Sequence, residues 1–78
     1  MKRTDYFNAT RTRPDRAGIA EAWIQRANNC PERQAIQADR RIRRWVRTPE
    51  ADGRVLRVVL LEDGETVRNA FFDRSFKP

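Results

Sequence analysis

The sequence predicts an α+β domain: one main N-terminal helix packed on a four-stranded antiparallel β-meander, with room for a short extra strand ahead of the helix. Three observations predict it. Apolar residues recur at helical spacing only before position 30, the period falls to two after Glu32, and turn residues divide that second stretch into four runs. A chain of 78 residues accommodates one domain around one modest core, so 1–78 is read as a single unit.

Residues 1–13 carry Tyr6 and Phe7 as their only large apolar pair and read as an arm or short strand. Pro14 and Asp15 open the helix over 14–29. Proline fits a first helical turn, and an acidic group favours the positive end of the helix dipole. Ile19, Trp23 and Ala27, with Ala20 and Ile24, form one apolar stripe, and Asn28, Asn29 and Pro31 end the helix. Strands are expected over 33–38, 41–48, 54–62 and 66–73, with 74–78 as a tail. Turns fall at Asp39-Arg40, in the five-residue loop 49–53, and at Asp63-Gly64, read as a two-residue hairpin.

Those turns fix a register. A loop over 49–53 sets Arg47 opposite Val55, Trp45 opposite Arg57 and Val46 opposite Leu56. A two-residue turn at Asp63-Gly64 sets Val59 opposite Arg68, Arg57 opposite Ala70 and Leu56 opposite Phe71. One face then holds Ile42, Val46, Leu56, Val58, Leu60, Val67 and Phe71, covered by the helix stripe. The other, expected to stay bare, carries Arg41, Arg43, Trp45, Arg47, Arg57 and Arg68 with Val55, Val59, Leu61 and Phe72. A slip of one residue would exchange the faces.

Composition points to the partner. Of 17 basic residues two are Lys, the remaining fifteen are Arg, and the net charge is +6. Arg40, Arg41, Arg43, Arg44, Arg47, Arg54 and Arg57 fall within eighteen positions. A guanidinium keeps its charge at any physiological pH and presents a planar fork of donors to phosphate oxygens. Such a bias suits a polyanion, RNA or DNA above all. Arg41, Arg43, Trp45, Arg47 and Arg57 are therefore candidate nucleic-acid contacts, with Arg11, Arg13 and Arg16 reaching from the helix entrance. Trp45 either stacks a base or packs across strands.

Several chemistries are excluded. The chain has no His, so catalytic pairs and metal sites that need imidazole are out, and its three Gly are scattered, which leaves no phosphate-cradling loop. Cys30 stands alone, so no internal disulfide forms, and a small buried hydrophobe is its expected role. No metal or cofactor is expected. Residues 1–12 lack the apolar core of a secretory signal, and no run is long enough to span a membrane, so a cytoplasmic location is expected.

The segments Pro14 to Ile19, Leu56 to Leu60, Glu62 to Thr66 and Asn69 to Arg74, on a helix followed by four strands, resemble a family of small bacterial proteins. They are similar to the toxins of type II toxin–antitoxin pairs with RelE-like or BrnT-like folds. The resemblance implies a metal-independent RNA endonuclease that blocks translation, ribosome-associated in some members and neutralised by a small acidic antitoxin. By that analogy Arg43, Arg57 and Arg68 stabilise the phosphate, with Arg74 and Lys77 as auxiliaries. The chain departs from the pattern where such proteins often carry a His, at Asn8 to Arg11 and at Arg68. Two alternatives stand beside the nuclease: a non-catalytic RNA- or DNA-binding module, and an interaction protein for an acidic partner. The oligomeric state is open, a dimer included.

Overall fold

The computed structural model describes residues 1–76, which leaves the auxiliary role expected of Lys77 outside the described residues. The chain runs α1 (Asp5–Thr10), α2 (Pro14–Ala17), α3 (Glu21–Asn29), β1 (Arg33–Ile36), β2 (Ile42–Thr48), a 3-10 turn (Pro49–Ala51), β3 (Arg54–Leu60) and β4 (Val67–Phe72). The strands form one antiparallel sheet in sequence order.

The helical part differs from the single helix expected over 14–29. Gly18 closes α2 after four residues, and Ala20 is extended at φ −70°, ψ 141° before α3 begins. The break drops Ile19 into the core at 1% exposure, with Ile24 and Ala27 of α3 beside it. Glycine lowers helix propensity, and burying Ile19 from a bend rewards the interruption.

The N-terminal arm is helical instead of extended. Thr4 caps α1 by accepting the Phe7 N–H on Oγ1 at 3.0 Å, and Asp5 sits in the first turn. A six-residue helix is not stable alone. It forms here because Phe7 is 1% exposed in the core and α1 packs on β4. The expected short strand shrinks to a parallel bridge between Arg3 and Val67, in which Thr4 N–H donates to Val67 O and Val67 N–H to Lys2 O.

Between β2 and β3 the register is the one the loop length predicts: Trp45 faces Arg57, Val46 faces Leu56, Arg47 faces Val55. The loop closes through two consecutive left-handed residues, Asp52 (φ 59°) and Gly53 (φ 74°). Between β3 and β4 the outcome is different. The connection is wider than two residues, because Leu61 N–H bonds Thr66 O and the Asp63 carboxylate accepts the N–H groups of Glu65 and Thr66. Leu60 still pairs with Val67, but a bulge at Arg68 shifts the rest by one: Val59 faces Asn69, Arg57 faces Phe71, and Leu56 faces Phe72.

That bulge exchanges two phenylalanines. Phe72, expected on the bare face, packs on the core with its ring 6.4 Å from that of Trp23. Phe71, expected inside, lies on the opposite face beside Arg57. The core is Phe7, Ile19, Ile24, Ala27, Val46, Leu56, Val58, Leu60, Val67 and Ala70, held between the helices and one face of the sheet. Cys30 is exposed, not a buried hydrophobe, because it follows the last turn of α3 at the surface. Among the described residues no helix is long and apolar enough to cross a membrane.

Candidate functional site

The sheet face turned away from α3 is built by strand alternation: Arg43, Trp45 and Arg47 from β2, Val55, Arg57 and Val59 from β3, Asn69 and Phe71 from β4. It is not bare. The segment after β4 folds back over it, and Trp45 is left 8% exposed. Asp73 Oδ2 accepts the indole N–H of Trp45 at 2.9 Å and faces Arg57 Nη1 at 3.4 Å, while Ser75 donates its N–H and hydroxyl to Oδ1. Phe76 lies on Trp45 with ring centroids 5.7 Å apart.

Guanidinium groups and rings are interleaved along one row of this face. Arg33 of β1 stands 5.7 Å from the Phe76 ring, Phe76 meets Trp45, Arg57 stands 6.0 Å from Trp45 and 4.9 Å from Phe71, and Arg16 of α2 stands 5.3 Å from Phe71. Arg16 is fixed by donating Nη1 to Asn69 Oδ1 at 2.6 Å. Each contact of this kind contributes on the order of 0.5–1 kcal/mol and, more to the point, holds a flexible arginine in one place. The row joins six separate chain segments.

Two hollows flank Phe76. One of about 290 Å³ is lined by Glu32, Arg33, Trp45, Arg47, Val55 and Phe76. The other, of about 710 Å³, has Arg16, Arg54 and Arg74 on its walls with Phe71 and Phe72. Arg54 is seated over Phe72 at 4.0 Å and donates Nε to Ala51 O.

Burial of Asp73 pushes its pKa upward, but the hydrogen bonds from Trp45, Ser75 and Arg57 outweigh that and hold it at about 2. It is a permanent anion at the centre of the face. Its side chain is 7% exposed and that of Arg57 21%, so this pair is shielded from solvent. Arg57 Nε is buried without a hydrogen-bond partner among the described residues.

The residues expected to act together are separated by the fold. Arg43, Trp45, Arg47 and Arg57 share the face. Arg43 donates to the Gln37 side-chain oxygen at 2.6 and 3.1 Å once that amide is turned to face it. Arg68 does not stand opposite Val59; in the bulge it is seated over the Tyr6 ring of α1 at 4.4 Å, at the far edge of the sheet. Arg74 is exposed on the rim of the larger hollow.

Arg41 precedes β2 and pairs with Asp39 at 3.5 Å. Arg11 is tied to the helical side, bonding Arg16 O at 3.2 Å with its guanidinium over the Phe7 ring, and Arg13 is the exposed residue before α2.

Arg33 and Arg54 are site residues that the sequence pattern did not single out; Arg16 was expected to reach the site, whereas Phe71 was expected inside and Phe76 in the tail. Their signal was Arg and Phe abundance, with nothing in the spacing to say which would meet. Among the described residues no three His, Cys, Asp or Glu side chains come together to hold a metal ion. No family model, no curated protein and no solved structure matches this chain.

Proposed function

We propose that the chain binds single-stranded RNA across the sheet face that carries Trp45 and Arg57. The observation that supports this reading is the row of interleaved arginines and aromatic rings from Arg33 to Arg16. Phe76, half-buried above the covered Trp45, offers sequence-tolerant stacking, and the guanidinium groups at the two hollows track the phosphates. Exposed Arg47 and Arg74 at the two hollows supply charge that α3 and the core do not use.

Cleavage, which the toxin resemblance implies, also needs a group to take the proton from the 2′-hydroxyl. Asp73, the anion at the centre of the face, is a poor proton acceptor with its pKa at about 2. Binding, which needs no proton acceptor, is the reading adopted. The test is fluorescence anisotropy with a labelled 12-nucleotide RNA over a salt series. Affinity should fall steeply as salt rises, with a slope reporting several neutralised phosphates. Salt-independent or undetectable binding overturns the reading, and shortening of the RNA during the titration restores the nuclease.

A further inference from the structure

The smaller hollow carries a feature that phosphate binding does not use. Its walls are apolar, from Trp45, Val55 and Phe76, yet Glu32 lines it together with two arginines, Arg33 and Arg47. Glu32 is positioned by the sheet: its N–H donates to Trp45 O at 2.8 Å, and its Oε2 accepts the Arg47 backbone N–H. A carboxylate only accepts hydrogen bonds and offers about four lone-pair sites, of which that contact takes one. Its chemical complement is an edge with two adjacent donors.

Among the four RNA bases only guanine presents such an edge, with N1–H beside the N2 amino group. Adenine and cytosine set a donor beside an acceptor, and uracil sets its single N–H between two carbonyls. A cationic side chain would also suit a carboxylate near rings, but the exposed Arg47 lines the same hollow and makes it hostile to cations and favourable to a phosphate-bearing ligand. Resting on the RNA-binding reading, we propose that this hollow is a guanine pocket: Phe76 and Trp45 hold the ring, Glu32 reads its Watson–Crick edge, and Arg47 meets the adjoining phosphate. The chain thereby binds RNA with a preference for a guanine at one position.

The probes are the labelled hexaribonucleotides UUGUUU and UUUUUU, with 5′-GMP and 5′-UMP as competitors. Wild-type protein should bind UUGUUU about tenfold more tightly than UUUUUU, as a two-bond base contact of on the order of 1–3 kcal/mol predicts. Glu32→Gln keeps an oxygen for the Arg47 N–H but places an amide N–H₂ against the two guanine donors. It should bring the two hexamers within twofold while binding to UUUUUU persists, with an unchanged circular dichroism spectrum as the folding control.

Equal affinity of wild type for the two hexamers, or a guanine preference that survives in Glu32→Gln, overturns the pocket and leaves RNA binding standing. Binding of neither hexamer removes both. GMP binding as tightly as UUGUUU overturns the assignment to RNA in favour of a free nucleotide, whereas weaker GMP competition that still exceeds UMP supports it.

Discussion

Asp73 accepts the indole N–H of Trp45 at 2.9 Å and lies 3.4 Å from Arg57 Nη1, so one carboxylate ties the return segment to both β2 and β3. It also sets an anion where a phosphate would otherwise meet Arg57. Removing the charge should separate these two roles. Asp73→Asn can still accept the indole N–H, and it should bind the 12-nucleotide RNA several-fold more tightly at low salt. Weaker binding would mean that the carboxylate serves only to order the arginines.

The same residue governs acid stability. With its folded pKa at about 2 against an ordinary 3.8, the ionised form of Asp73 favours the fold. That contribution, on the order of 1–2 kcal/mol, is fully present above about pH 5 and is lost as pH falls through about 2. Glu50 and Asp63 are also lowered to about 2, by hydrogen bonds from Arg26 and from Thr66 respectively, and act in the same direction. Urea melts from pH 7 to 2 should show a plateau and then a decline below pH 5, and the decline should be shallower in Asp73→Asn.

Charge at the two hollows is testable without disturbing the fold, because Arg47 and Arg74 are exposed. The double variant Arg47→Ala, Arg74→Ala should keep its melting temperature within about 2 °C. It should reduce the magnitude of the salt slope for single-stranded RNA by about 1.4, the amount expected for two lost phosphate contacts. Arg57→Ala is a poorer probe, since it strands the shielded Asp73 carboxylate and destabilises the sheet as well.

The first helix depends on one ring and one cap. Phe7→Ala should cost about 3–5 kcal/mol, enough to unfold a domain this small at room temperature, because the side chain is 1% exposed in the core. Thr4→Ala removes the acceptor of the Phe7 N–H and should cost about 1 kcal/mol. Chemical denaturation of Thr4→Ala gives its value, and absence of a cooperative unfolding transition in Phe7→Ala checks the other.

At the hairpin between β3 and β4, the Asp63 carboxylate accepts the N–H groups of Glu65 and Thr66 and the Thr66 hydroxyl. Asp63→Ala should speed amide exchange at Glu65 and Thr66 while the amides of β2 remain protected. Uniform loss of protection across the sheet would show that this loop holds the register of β4.

By itself the sequence determined the class of the fold, the four strands in meander order and the pairing of Trp45 with Arg57. Those follow from a period of two, turn residues and loop length, all of which act within a few residues. It determined too that arginine and aromatic groups would dominate one face. Tertiary structure decided what local pattern does not encode. The six residues of α1 become a helix only by packing Phe7 under β4.

The bulge at Arg68 reverses Phe71 and Phe72, because period-two alternation turns one inserted residue into an exchange of faces. The return of Asp73 and Phe76 over Trp45 joins residues 28 and 31 positions apart in the chain. No spacing rule reaches that far, and so the centre of the candidate site emerged only when the sheet was closed by its own C-terminal segment.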